Sequence, residues 1–323
     1  MKMKIGVIGV GSVLANKVHL PFLTTFSEVD VKAICDIDPN QLKTADEKYR
    51  IRNTFTDYRE MVKKEQLDCV YVIVPPDRTV GVIKDLIHLG IKHIFSEKPL
   101  GLSLREAEDV ADLASQKNCV VMVGFNRIFM PVVRKTRDRL LQLKTRLSLI
   151  MAEKHGWVNN PQFPLLFENA IHPLSLLVWL GGKVKTVQKV KATHYRDFEN
   201  IFNVIIEFEN GSIGVLIANY STGGWVEKLQ IHNEKIGAYI DMPHQSTIIQ
   251  TEGKVVDPAT FWTVIENKAE IISNPIWASL PYRFGFEDEH RHFIDCVKRG
   301  AKPETSVENT LETVSLAQKI STP

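Results

Sequence analysis

A short apolar strand, Lys4 to Ile8, runs directly into Gly9-Val10-Gly11-Ser12-Val13-Leu14, and a helical stretch follows to about Phe26. Few folds turn a strand straight into a helix through two glycines. The first glycine allows the tight turn, and the second lets the backbone approach a pyrophosphate at the helix N-terminus. This is most of the fingerprint of a dinucleotide site, and it predicts Gly9, Gly11, Ser12 and Val13 as cofactor contacts. The third glycine of the pattern is absent. Leu14 stands in its place, with Ala15 next, so helix and strand are expected to pack slightly farther apart.

Behind the turn the chain keeps alternating. A second apolar strand, Val29 to Cys35, ends in Asp36, whose carboxylate suits the ribose hydroxyls of an adenosine and would repel a 2′-phosphate. That favours NAD over NADP. The segment Asp36-Ile37-Asp38-Pro39 also suits a turn built on the aspartate side chain, and both readings stand at this point. The series continues with a helix from about Asn40 to Tyr49, a helix opening at Asp57, a strand from Cys69 to Val74 and a helix from Thr79 to Leu89 closed by Gly90. Strands at His93 to Phe95 and Val120 to Val123 complete it. Ser103 followed by Glu106 reads as a capping box for a helix reaching about Gln116. The alternation predicts an α/β fold whose N-terminal domain, residues 1–124, is a doubly wound parallel Rossmann sheet.

From residue 125 the pattern changes. A linking helix around Val132 to Leu143, a strand from Leu147 to Lys154 and a helix from Phe167 to Leu180, closed by Gly181-Gly182, lead into a run of period-two segments. These are Thr186 to Val190, Phe202 to Phe208, Ser212 to Tyr220, Glu227 to His232, Ala238 to Met242 and Thr247 to Gln250, with turns at Asn210-Gly211 and Gly223-Gly224. They predict an α+β domain, residues 125–323, built on an open, mostly antiparallel meander. One face of such a sheet must be covered by helices or by a second subunit, which points to a homodimer or homotetramer. Helices near Phe286 to Lys298 and from about Val307 are expected to return toward the first domain.

Two stretches look chemical. Ser96-Glu97-Lys98-Pro99-Leu100 follows an apolar strand, and in a doubly wound sheet the carboxyl end of a strand opens into the ligand crevice. The proline removes a donor and holds Lys98 extended, which aims its ammonium. In the second domain, Glu168 and His172 are four residues apart, hence on one face of a helix. A carboxylate beside an imidazole sets its tautomer and raises its basicity. A helix-start glutamate and a satisfied histidine would give the same spacing.

Composition narrows the rest. The 323 residues are 44% hydrophobic and 24% charged with a net charge of +2, without a basic stripe, so nucleic acid is not an expected partner. No apolar run approaches a membrane span, and the N-terminus enters a strand without a cleavable signal, which predicts a cytoplasmic protein. Cys35, Cys69, Cys119 and Cys296 show no metal-ligand spacing and read as buried thiols; no metal is expected.

Taken together, the two-glycine turn, Asp36, Glu97-Lys98-Pro99, Gly124-Phe125-Asn126-Arg127 and the carboxylate four residues before His172 resemble the Gfo/Idh/MocA oxidoreductases, along essentially the whole chain. The segments Val123 to Pro131 and Phe293-Ile294-Asp295 are most similar to the bacterial MviM-type branch. The resemblance implies that Lys98, Glu168 and His172 stand where the family keeps its catalytic lysine, acid and histidine. It adds Val74, Pro75, Glu97, Lys98, Asn126 and Arg127 to the cofactor site. It also implies hydride transfer between NAD and a secondary alcohol or ketone of a sugar, polyol or sugar derivative, with His172 as proton acceptor, Glu168 orienting it and Lys98 on the hydroxyl oxygen. Some relatives instead bind dinucleotide as regulators without turnover, and others are NAD-dependent glycosidases. The sequence departs from the pattern at Glu168 (commonly Asp), Ala170 (commonly Gly), Ser175 (commonly an acid), Val74-Pro75-Pro76 and Thr79. Arg127, Lys154, His155 and Trp157 are further candidates for contact with a sugar-like substrate.

Overall fold

In a computed structural model the chain is described over residues 2–142, 146–194, 197–256, 263–275 and 278–322. It divides into two compact units, one of Met1–Phe125 with Phe286–Gln318, the other of Asn126–Gly285 with Lys319–Pro323.

The first unit runs β1 (Met3–Ile8), α1 (Leu20–Leu23), β2 (Val29–Cys35), α2 (Pro39–Tyr49), β3 (Thr54–Phe55), α3 (Tyr58–Lys64), β4 (Cys69–Val72), α4 (Pro76–His88), β5 (His93–Glu97), α5 (Leu104–Gln116) and β6 (Val120–Gly124). Its six strands pair in the order β3-β2-β1-β4-β5-β6, all parallel. Helices on both faces explain why β4 is buried at every residue rather than at alternate ones. The strand order reverses between β1 and β4, so the connections leaving their carboxyl ends part there and open a crevice. Strand β3 has only two residues, too few for any periodicity to show in the sequence.

Two local expectations change. The helix after the glycine turn is not one continuous α-helix: Ala15–His19 is a π-helical turn, and α1 follows it. Pro21 explains the widening, because its missing N–H cannot complete the α ladder and the Leu20 N–H reaches the Ala15 carbonyl instead. Helix α4 opens at Pro76 rather than Thr79, since a proline fits the first turn, where donors have no intrahelical partner. The Ser103 cap forms as expected and accepts the Glu106 N–H at 3.3 Å, while the Glu106 carboxylate reaches the Leu102 N–H at 2.7 Å.

Helix α10 (Phe286–Arg299) carries acids in its first turn and Lys298 and Arg299 in its last, matching the helix dipole, and buries Phe293 and Ile294. Beyond it the chain passes along β6, where the Val123 N–H donates to the Thr305 carbonyl at 2.8 Å and the Thr305 hydroxyl donates to the Val123 carbonyl at 2.8 Å. This covers an edge that would otherwise present unpaired backbone. Helix α11 (Val307–Ser321) follows, and the Gln318 side chain accepts the Leu104 N–H at 2.7 Å. The four cysteines are free and buried, and burial, aided by the charges of Asp36 and Asp57, pushes the Cys35 thiol up to about 12.

The second unit begins with a 3-10 turn, Asn126–Phe129, then α6 (Pro131–Leu141), β7 (Leu149–Trp157), α7 (Leu165–Glu168), α8 (Ile171–Gly181), β8 (Val184–Ala192), β9 (Ile201–Phe208), β10 (Ile213–Asn219), β11 (Ser221–His232), β12 (Ile236–Asp241), β13 (Gln245–Val256), β14 (Thr263–Ser273) and α9 (Leu280–Arg283). The expected end of the linking helix at Leu143 lies outside the described residues. The eight strands pair as β14-β13-β12-β11-β7-β10-β9-β8. The sheet is mostly antiparallel but not a simple meander: β7 inserts between β11 and β10 and runs parallel to β10. Gly223-Gly224 makes no turn. It lies inside β11, where the register against β7 slips between Ser221 and Val226, a bulge that glycine accommodates. Asn210-Gly211 does turn the chain, with Gly211 at φ +84. Helix α8 packs against β7 and β10 and helix α6 against β12, β13 and β14, while Phe202, Val204, Ile206 and Phe208 of β9 alternate into the core.

Candidate active site

At the carboxyl end of β1 the glycines are required by geometry. Gly9 has φ +88, and a Cβ there would lie 2.3 Å from the Ile73 carbonyl oxygen, so no side chain fits between the ends of β1 and β4. The Gly11 N–H donates to Asp36 Oδ2 at 2.7 Å, and Oδ1 accepts the Asp38 N–H at 3.0 Å. Asp36 therefore shapes its own turn, one of the two readings of the sequence, and its carboxylate also reaches the glycine loop. A cavity of about 840 Å³ opens here, lined by Gly9, Gly11, Ser12, Asp36, Val74 and Pro75 among others. Its volume and the Asp36 carboxylate beside the glycine turn suit a dinucleotide. Val13 is 68% exposed beside the turn. Thr79 is buried, and its hydroxyl donates to the Pro75 carbonyl at 3.1 Å within α4.

At the end of β5, Glu97 is buried and Lys98 half-buried, and the Lys98-Pro99 peptide is cis. The Glu97 carboxylate is held at both oxygens: Oε2 accepts the Lys98 N–H at 3.1 Å, and Oε1 lies 3.0 Å from His19 Nε2. His19 Nδ1 in turn lies 3.2 Å from Nε2 of His290 on α10. Both imidazoles are fully buried among aromatic rings, with Phe95 centred 5.7 Å from each. Burial, and secondarily the neighbouring His19, holds His290 well below the usual histidine range. Neither histidine drew notice in the sequence. The signal was slight: two imidazoles on the apolar faces of helices 271 residues apart.

In the second unit, Glu168 and His172 do not share one helix. Glu168 closes α7, Asn169 breaks the path at φ −113 and ψ −50, and His172 belongs to the first turn of α8. Pro173 fits there without loss of a ladder bond. Ala170 sits at φ −75, a conformation alanine holds without strain, so the missing glycine leaves the backbone unaffected. His172 is buried and Glu168 half-buried; the Ser175 hydroxyl donates to the His172 carbonyl at 2.7 Å.

Asn126 and Arg127 also belong to this unit. The Asn126 amide donates to the Phe284 carbonyl at 2.9 Å, and its oxygen accepts from Arg127. Arg127 grips Glu227 through Nε at 3.1 Å and Nη2 at 2.8 Å, while Lys154 Nζ stands 3.5 Å from the same carboxylate and the Trp225 indole N–H donates to it at 3.1 Å. Burial alone would raise the Glu227 carboxyl, but the Arg127 and Lys154 charges win and hold it at about 2. His155 is half-buried, and Trp157 is 60% exposed.

Residues 3–125 match the model of an oxidoreductase family with an NAD-binding Rossmann fold, Gfo/Idh/MocA, and residues 152–238 match that family's C-terminal domain. The chain belongs to the Gfo/Idh/MocA oxidoreductase family. It is 27% identical to the YceM protein of Salmonella typhimurium, over 98% of this chain and 95% of that one. It is 21% identical to myo-inositol 2-dehydrogenase of Thermotoga maritima, over 95% and 92%. The crystal structure of the dehydrogenase MviM from Clostridium difficile superimposes with a TM-score of 0.84 at 22% identity, covering 99% of this chain and 98% of that one. The family's Rossmann domain binds NAD, and the residues lining the cavity at Gly9 and Asp36 fit that cofactor.

Proposed function

We propose that this Gfo/Idh/MocA protein is a dehydrogenase that moves a hydride between NAD and a secondary alcohol or ketone carbon of a sugar, polyol or sugar derivative. The observation that carries the reading is Lys98, set at the carboxyl end of β5 in an NAD-binding unit with its amide pinned by a buried carboxylate. Support for the substrate class comes from the relative named as a myo-inositol dehydrogenase. NAD, when bound, supplies the hydride chemistry. Gly9, Gly11, Ser12, Val13, Val74, Pro75 and Glu97 would hold its phosphates and nicotinamide end, with Asn126 and Arg127 assigned to the same cofactor. Asp36 would accept its ribose hydroxyls in preference to a 2′-phosphate. His172 takes the hydroxyl proton as hydride leaves, and Glu168 orients the imidazole or bonds a neighbouring hydroxyl. Lys98 stabilises the developing alkoxide.

The test is a screen of sugars, polyols and their ketones for NADH formation or consumption, run beside thermal melts with NAD. At least one compound should turn over, and Lys98→Ala should lower kcat by about 100-fold or more while NAD still raises the melting temperature. Stabilisation by NAD without turnover of any member of these classes would remove the dehydrogenase reading.

A further inference from the structure

We propose that His19 and His290 are positioning residues for Lys98, a buried brace of two imidazoles that fixes the Glu97 carboxylate against the lysine's own amide. The inference rests on Lys98 being the catalytic lysine.

The hydrogen-bond chain ends on the Glu97 carboxylate, which closes on the Lys98 backbone. A carboxylate only accepts, so Oε2 takes the Lys98 N–H and Oε1 takes a proton from His19 Nε2. His19 Nδ1 in turn faces His290 Nε2 at 3.2 Å, so the two rings and the carboxylate form one continuous chain. The remaining His290 Nδ1 has no hydrogen-bond partner among the described residues, which suits an imidazole kept neutral by complete burial. The ionisable groups facing the pair are Glu97 from β5, Tyr71 from β4, whose ring is centred 5.5 Å from His290, and Glu289 beside it on α10. Helix α1 contributes the apolar Phe22.

Such an arrangement is a poor way to gain stability. Two fully buried imidazoles and a carboxylate sit within a cluster of Phe95, Phe286, Phe293 and Tyr71, where hydrocarbon side chains would pack without desolvating polar groups. What the network supplies is fixed geometry. It ties the helical turn after the glycine loop, the end of β5 and α10 to one carboxylate, and that carboxylate closes on the backbone of the residue proposed to meet the reacting oxygen. A satisfied buried network specifies a single arrangement more sharply than packing alone.

The experiment compares His19→Leu, His19→Gln and His290→Phe with the wild type in two ways. Lysines are methylated reductively with an isotope label, and the Lys98 methyl resonance is identified by its absence in Lys98→Arg; kinetics are measured with whichever substrate the screen yields. In His19→Leu and His290→Phe the Lys98 resonance should move or split, kcat should fall about tenfold to 100-fold, and KM and NAD affinity should stay within about twofold. His19→Gln, whose amide N–H can still donate to Glu97, should restore both readouts. A Lys98 resonance unmoved in folded His19→Leu would overturn the brace, as would a loss that His19→Gln fails to rescue. If His19→Leu does not fold, His290→Phe, which adds one more ring to an aromatic cluster, decides by the same criteria. The resonance reports without turnover, so a failure of the dehydrogenase reading stays distinct from a failure of the brace.

Discussion

Glu227 shows what a single misplaced-looking residue can hold. It occupies an inward position of β11, in register with Leu229 and Ile231, where a hydrocarbon would be expected. It is retained because two cations and an indole N–H converge on it. Glu227→Gln keeps the shape but leaves Arg127 and Lys154 buried against a neutral amide, and it should destabilise the protein by about 3 kcal/mol or more in denaturant unfolding at neutral pH. The pH dependence follows from the direction of the shift. The folded carboxyl titrates at about 2, below its ordinary 4.5, so the stabilisation is fully present above about 4.5 and is lost as pH falls toward 2. The gap between wild type and Glu227→Gln should therefore close across that window and stay constant above it. At this scale the sequence was legible where one residue type has one purpose, as at Gly9. It was opaque at Glu227, whose partners lie 100 residues earlier on Arg127 and on another strand.

Elements were legible in proportion to their length and regularity. The parallel strands and their helices announced themselves as apolar runs and amphipathic periods, and so did β9 and β10. What escaped depended on backbone hydrogen bonding rather than on hydrophobic pattern: the two-residue β3, the π-helical turn set up by Pro21, the break between α7 and α8, and the glycine bulge inside β11. The place of β7 between β10 and β11 was also hidden, because pairing partners in a sheet are chosen by the whole fold and not by the strand's own residues. The turn after β1 tests how closely an element boundary is tied to function. Gly9→Ala must hold φ near +88, worth roughly 1–2 kcal/mol against an L-residue, and must also displace the Ile73 carbonyl. It should lower stability by more than that amount in urea unfolding and abolish the thermal shift given by NAD. Gly81→Ala, inside α4 with nothing within 4 Å of the added methyl, should have the opposite sign and stabilise by roughly 0.5–1 kcal/mol. Equal effects at the two glycines would show that the β1 turn is less constrained than its geometry demands.

For the molecule as a whole, the sheet of the second unit poses the remaining physical question. Its inner face lies under α6 and α8, but the outer face carries a stripe in which Ile205 of β9 opposes Val215 of β10, and Val215 opposes Met151 of β7. Ile205 is 50% exposed, and Val190 on neighbouring β8 is 66% exposed. An apolar stripe across β9, β10 and β7, with Val190 two residues along β8 from Gln188 opposite Ile205, exceeds the scattered surface hydrophobics every protein tolerates and offers a second copy a face to pack against. The expectation from the sequence, a homodimer or homotetramer formed through this open face, therefore gains a set of residues to test. Sedimentation of the wild type should give a dimer or tetramer. Ile205→Lys combined with Val215→Lys should give monomers, because two ammonium groups cannot be buried opposite their own symmetry mates. Neither residue touches the NAD cavity, so the double variant should keep its thermal shift with NAD. That separates loss of assembly from loss of fold. A wild type that sediments as a monomer would leave the stripe exposed in solution and end the argument for assembly through this face.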